Sequence, residues 1–289
     1  MSLEDVFNGL FAGSVYALVA LGLAIVFQPT RIMNFAQGEA LVLGAAIGYQ
    51  VVTLNGWGWG AAIPITLLLG IVAGVAMERL IVLPVRVSGS RYAWIIATLA
   101  VALVFQSLFT LQYLNVDALR PEALISGDVP GLEGKLSWQQ LLTIGVALAV
   151  MGAYDLFLRR SVYGRAIRAA SHSDDTSVLM GIPVSRIVML SFVIGTVITA
   201  TAGLLAAAVI FVAPASGLTF TIKGFIAAVI GGVGSPRGAL AGGLIVGLLD
   251  TLVPVLFSGS IGDFAIYIAL AAILVLFPSG LFGRPMEAH

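Results

Sequence analysis

Four ionisable side chains stand inside long apolar stretches of this chain: Glu39, Asp155, Lys223 and Asp250. Charge in such surroundings is expensive and points to a solute or ion path, or to an ion pair. Asp155 precedes Arg159 by one helical turn, which predicts a local i,i+4 pair. Glu39 follows Asn34 and Gln37, so three polar groups open one apolar stretch. Their chemistry is hydrogen bonding between helices, or a gate or pathway. Asp250 sits mid-stretch, before Thr251 and Pro254. It reads as a functional carboxylate, as half of a structural ion pair, or as a protonated hydrogen-bonding group. Thr98, Gln106, Ser107, Thr196, Thr199 and Thr201 add neutral polar groups. The candidates for lining a path are Asn34, Gln37, Glu39, Thr98, Gln106, Thr199 and Asp250.

Covalent and metal chemistry find little support. Cysteine is absent, which removes thiol catalysis and Cys-metal sites. Two histidines, one at the last position, make a His-based metal site unexpected. Neither a Ser/His/Asp set nor a paired-carboxylate arrangement stands out. The two lysines, Lys135 and Lys223, are not in a G-x-x-x-x-G-K-[ST] phosphate loop. ATP hydrolysis by this chain alone is not expected. Net charge is zero, and no basic patch suggests nucleic acid.

The elements that position these residues follow from composition. Of 289 residues, 60% are hydrophobic and 10% charged, against about 25% charged in an average soluble domain. Crossing a hydrocarbon core takes roughly 20 helical residues. Apolar runs lie at 8–27, 35–54, 60–77, 92–114, 138–158, 187–212, 219–234, 239–257 and 264–282. In lipid they must be helical, because an open strand leaves backbone groups unpaired. The fold class is therefore an all-α polytopic membrane bundle of eight to nine spans, one domain over 1–289. The seventh run carries Lys223 early and ends in glycines. It is either a full span with Lys223 snorkelling or a half-helix that turns back.

Nine crossings with the N-terminus outside and the C-terminus inside place eleven basic residues inside: Arg31, Arg79, Arg86, Arg91, Arg159, Arg160, Arg165, Arg168, Arg186, Arg237 and Arg284. Arg120, Lys135 and Lys223 stay outside. A re-entrant seventh run gives nine against five, so the positive-inside rule prefers nine crossings. Glu4 and Asp5 precede the first run where a cleavable signal carries basic residues, so no cleaved leader is expected. Small-residue pairs at four-residue spacing (Gly9/Gly13, Gly44/Gly48, Gly70/Gly74, Gly238/Gly242, Gly243/Gly247) serve close helix packing, or in one case a subunit interface.

Two loops are long. The outer one, 115–137, holds Pro121, Pro130 and Gly131 and reads as an ordered or semi-ordered cap. The inner one, 159–186, predicts two short helices. The first contains Gly164, Arg165 and Arg168. The second is capped by Ser173 or Asp174, with Asp174 and Asp175 at its positive end. Gly181 and Pro183 stop it. Between them Val178, Leu179 and Met180 form an apolar tip. This is either a membrane-surface pair held by arginines against anionic lipid, or a docking element for a cytoplasmic partner.

Three stretches carry a family resemblance: 33–39 (MNFAQGE), the loop 164–182 (GRAIRAAS…LMGI), and a C-terminal part with 231–235 (GGVGS), 238–243 and 278–285 (PSGLFGRP). With them the chain resembles the LivH-type permeases of bacterial ABC importers for branched-chain amino acids, in order over nearly its whole length. The resemblance implies a permease without a cofactor of its own in the inner membrane. It would form half of a two-permease pore, the second half a copy or a paralogue. Two cytoplasmic ATPases carrying ATP and Mg would bind below it, and a periplasmic solute-binding protein would deliver from above. The inner loop becomes the coupling element. Permeases for urea and short amides share the family, and an ion-coupled carrier is the alternative outside it; such a carrier has no need of a docking loop.

Overall fold

A computed structural model describes residues 2–88, 92–171, 174–256, 268, 272, 280 and 281. Most of the ninth run (all but 268, 272, 280 and 281), the 278–285 motif (apart from Gly280 and Leu281), Arg91, Ser173 and Arg284 lie outside the described residues, as do the side chains of Asp174 and Asp175.

The described chain is helical apart from loops and one isolated antiparallel bridge, Asp128 to Ser137. The helices are α1 (Leu3–Thr30), α2 (Gln37–Gly48), α3 (Trp59–Ala76), α4 (Leu83–Ser88), α5 (Ala93–Gln112), α6 (Trp138–Arg160), α7 (Val162–Ala170), α8 (Asp174–Leu179), α9 (Val184–Ala206), α10 (Gly217–Gly231) and α11 (Pro236–Leu256). A π-helical turn, Tyr49–Leu54, extends α2, and another, Met77–Val82, joins α3 to α4. Six helices among the described residues are long and apolar enough to cross a membrane: Leu3–Thr30, Trp59–Val87, Ala93–Gln112, Trp138–Arg160, Val184–Ala206 and Pro236–Val255. That is a smaller number than the eight or nine apolar runs. Gln37 and Glu39 sit at the start of α2, α10 is only 15 residues long, and most of the ninth run is not described.

Helix α1 is the centre of the bundle, buried nearly all round, whereas α5 is the most peripheral long helix. The cause is side-chain size. Within lipid no hydrophobic force draws helices together, so approach depends on small faces. Each of the five predicted glycine pairs is used inside the chain. Gly9 and Gly13 face Leu248 and Leu244 of α11, and Gly243 and Gly247 return the contact to Ala17 and Gly13. Gly44 faces the Ala200 carbonyl and Gly48 faces Leu204, both of α9. Gly70 and Gly74 face Val197 and Val193 of the same helix. Gly238 and Gly242 lie on Gly231 and Ala227 of α10.

Hydrogen bonds define two ends of the bundle. At one end Gln140 Nε2 donates to Asn8 (2.7 Å), Trp59 Nε1 to the Glu122 carbonyl (3.1 Å) and Leu119 N to the Val212 carbonyl (2.8 Å). The loop 115–137 is packed down there, with Leu119 buried. At the other end Gln28 donates to the Gly234 carbonyl, Arg31 to the Ser171 carbonyl (2.6 Å), and Asp155 pairs with Arg159 (3.0 Å) and Arg237 (3.4 Å). Asp155 thus holds the predicted local pair and a second one across helices.

Val212 lies at the first end and Gly234 at the second. Between them the chain is irregular over 207–216 and then forms α10, which holds most of the seventh run. Helix α2 also starts within the bundle, after the non-helical residues 31–36. Its first turn packs beside the first turn of α10.

Candidate functional site: polar groups within the bundle and a capped loop

Where α2 and α10 begin, Gly38 and Gly217 let the two backbones touch. Gly38 N donates to Thr221 Oγ1 (2.8 Å), and that hydroxyl lies 3.1 Å from the carbonyls of both Phe35 and Gly217. Asn34 Nδ2 donates to Gln37 Oε1 (3.1 Å), and Asn34 Oδ1 accepts from Ala36 N (3.1 Å). Gln37 Nε2 donates to the Gly195 carbonyl (3.0 Å) and to Thr199 Oγ1 (2.7 Å). This network fixes the non-helical entry to α2 against α9 and α10. It also satisfies the backbone groups that an interrupted helix leaves open.

Glu39 stands beside this network but outside it. It is 3% exposed, and neither carboxylate oxygen has a hydrogen-bond partner. The carboxylate lies against Cα of Gly217, at the N-terminus of α10. A Cβ on residue 217 would collide with it. Glu39 lines a cavity of about 40 Å³ with Asn34, Gln37, Thr196, Met77 and Phe105 among its walls. Of the predicted pathway residues, Asn34, Gln37 and Glu39 thus meet at one place, with Thr199 just behind Gln37. Thr98 and Gln106 do not line it. The Thr98 hydroxyl donates to the Trp94 carbonyl of its own helix (2.8 Å), and α5 contributes Val101 and Phe105 instead.

Asp250 belongs to a different place. Lys223 Nζ lies 2.8 and 2.7 Å from its two carboxylate oxygens, and Tyr16 OH donates to Oδ2 (2.5 Å). Lys223 also sits over the Tyr16 ring, 5.3 Å from its centroid. Three helices, α1, α10 and α11, each contribute one member. Asp250 is thus half of an ion pair, and Lys223 points to it within the bundle.

One buried carboxyl escaped the sequence reading. The third apolar run stops at Met77, but the helix continues through a π turn. This puts Glu78 in the bundle at 2% exposure, 3.4 Å from Arg79 Nε. The signal available was the renewed apolar stretch Leu80–Val82 after Arg79.

At the arginine-rich end, the inner loop forms two short helices, α7 and α8, as expected. Ser161 Oγ caps α7 by accepting from Gly164 N (2.8 Å), and Gly164 itself packs on the Leu158 backbone, where no Cβ fits. Ile167 anchors α7 in the core, while Arg165 and Arg168 are exposed. Gly181 adopts φ +77°, and Ile182 N returns to the Ser177 carbonyl (3.0 Å), closing α8. Val178, Leu179 and Met180 project outward, Leu179 at 88% exposure.

Residues 6–277 match the family described as "Branched-chain amino acid transport system / permease component". The chain belongs to that family. It is 31% identical to the high-affinity branched-chain amino acid transport system permease protein BraD of Pseudomonas aeruginosa, over 98% of this chain and 96% of that one. It is 30% identical, with the same coverage, to the permease LivH of Escherichia coli K12. A probable LivH of Methanocaldococcus jannaschii is 26% identical over 93% of this chain and 89% of its own. As a permease component of this transport family, the chain is a non-catalytic transport subunit.

Proposed function

We propose that this chain is half of the membrane pore of an ATP-driven importer that carries branched-chain amino acids inward across a bacterial plasma membrane. Its N-terminus faces out and its C-terminus in, and the chain crosses nine times. It works with two cytoplasmic ATPases that hold ATP and Mg, with a second permease subunit, and with a periplasmic solute-binding protein. It binds no cofactor itself. The loop 159–186, through Gly164, Arg165, Arg168, Asp174, Asp175, Val178, Leu179, Met180 and Gly181, docks on an ATPase.

The observation that carries this reading is the inner loop. An apolar tip fully offered to solvent is costly unless something covers it. Here the tip is also rigid: α7 is capped by Ser161 and sealed by Gly164, α8 is closed at Gly181, and Arg31 ties the loop to the end of α1. A short stiff element transmits a push from below into α1, α6 and α9. The arginines at the same end support a cytoplasmic placement.

The test is Leu179→Asp or Val178→Asp in the reconstituted four-subunit importer. The expected result is a subunit that inserts and assembles, while ATP hydrolysis stimulated by the loaded binding protein falls at least about tenfold, as for the loss of a central interface anchor. Stimulated hydrolysis at the parental rate overturns the docking role.

A further inference from the structure

Most of the outer surface of this bundle suits lipid. Helix α3 turns Leu67, Leu68, Leu69, Ile71 and Val72 outward, all apolar. Between Leu141 and Leu156 the exposed residues of α6 are leucine, alanine and glycine alone. Two neighbouring stretches differ, the outer half of α5 and the entry to α10. Phe35 links their helices, stacking on Trp94 of α5 (6.3 Å between centroids) and lying tilted against Phe225 of α10 (6.4 Å).

On α5, the long helix least covered by the chain, Ser107 and Thr110 are exposed and Gln106 is half-buried. The helix has 20 residues, about 30 Å, which matches the hydrocarbon core, and Gln106 stands about 9 Å inside its end. The two hydroxyls donate to their own helix, Ser107 to the Leu103 carbonyl and Thr110 to the Gln106 carbonyl, both at 2.8 Å. An amide in this position needs partners for two N–H donors and an oxygen, and hydrocarbon supplies none. Polar side chains at membrane depth face protein or water.

The entry to α10 points the same way through its backbone. Helix α10 has 15 residues, about 22 Å, and runs towards the end marked by Gly234. Its first turn and the irregular residues before it therefore stand inside a core about 30 Å thick. There Phe211, Ala215 and Thr219 are exposed, and Ser216 gives the helix no side-chain cap. Irregular backbone at this depth is tolerated only where protein covers it or where it lines a water-filled cavity.

We infer that the side of the bundle bearing Gln106, Ser107, Thr110, Phe211, Ala215 and Thr219 meets the second permease subunit. An occupant at this depth must itself be embedded in the membrane, since a soluble ATPase or binding protein reaches only the ends of the bundle. A second subunit of the same kind packs on the apolar part of the face and supplies the hydrogen-bonding groups, its own or those of trapped water, that lipid lacks. The inference rests on the half-pore reading above and adds which side of the chain forms the seam, leaving the outer faces of α3 and α6 to lipid.

The experiment uses the complete importer in lipid nanodiscs. The chain has no cysteine, so Ser107→Cys, Ala215→Cys and Leu68→Cys each give it a single thiol, and the parent is the blank. Each thiol is labelled with 4-maleimidobenzophenone, which on illumination inserts into C–H bonds of whatever lies against it, and the adducts of the tagged chain are identified by mass. Ser107→Cys and Ala215→Cys are expected to give an adduct with the second permease subunit, and Leu68→Cys adducts with lipid alone. All three substitutions are on exposed positions, and assembly is checked by co-purification of the other subunits. Lipid adducts alone from Ser107→Cys and Ala215→Cys overturn the inference, as does a permease adduct from Leu68→Cys with none from the other two. If the parent complex holds no second permease subunit, the half-pore reading fails and this inference with it.

Discussion

Glu39 and Asp250 are both carboxylates within the helix bundle, and the bundle treats them in opposite ways. Asp250 receives Lys223 and Tyr16, so its charge is matched and its oxygens are satisfied. Glu39 is more deeply buried and receives nothing. The first site joins three helices and is complete. The second lies where two helices begin, against the backbone of Gly217. The difference teaches that an intramembrane charge is not one kind of signal. One charge meets its partners across three helices; the other is packed without any.

The sharpest way to break the comparison is at the completed site. Asp250→Asn or Lys223→Met alone strands one charge, and should cost about 2–4 kcal/mol after allowance for the partial exposure of both side chains. A thermal-unfolding series in detergent reads this as a clear drop in midpoint. The double variant Asp250→Asn/Lys223→Met should recover at least about half of the loss, because the stranded charge is gone. If the double variant is as unstable as the worse single one, the ion pair is not what holds these helices.

A steric change tests the scaffold around Glu39. Gly44→Val places side-chain atoms into the Ala200 carbonyl and should force α2 from α9. The expected penalty is about 1–3 kcal/mol, with the entry to α2 displaced. Unchanged stability and unchanged cross-linking between cysteines placed on α2 and α9 would contradict the close approach.

At Glu39 the sign should reverse. Glu39→Gln removes no partner and relieves an unpartnered buried acid, so unfolding should become no easier and the midpoint should stay or rise. A loss as large as that of Asp250→Asn would place Glu39 in the same structural class and erase the contrast. The smallest effect belongs to the exposed network at the arginine-rich end. Asp155→Asn removes pairs to Arg159 and Arg237, and should cost under about 1 kcal/mol, falling further in high salt.

Much of the fold was legible in the residues. The apolar runs, the five glycine pairs, the stop of the inner loop at Gly181 and the Asp155–Arg159 pair follow from local rules that need no knowledge of neighbours. Gly181 is a case in point, since a cap acts on backbone within four residues. The polar cluster was half legible. Asn34, Gln37 and Glu39 could be grouped because they are adjacent in the chain, but Thr196 and Gly217 could not be added to them. The Thr98 hydroxyl bonds to its own helix backbone, as that of Thr199 also does. Glu78 was missed because a charged pair, Glu78 and Arg79, looks like the end of a span; the π turn that carries the helix past it leaves no clear mark in composition.

The sequence by itself determined that this chain is a helical membrane protein with a stiff, apolar-tipped loop at an arginine-rich end. Those features depend on solvent transfer, backbone hydrogen bonding and contacts a few residues apart. Only the tertiary structure decided which charges are paired and which is left without a partner. Lys223 and Asp250 are 27 positions apart and Tyr16 lies 207 positions before Lys223. Glu39 meets Gly217 across a similar gap. No periodicity encodes such meetings; they arise where small side chains let particular helices approach, and it is that approach which completes one carboxylate and packs the other against Gly217 without a partner.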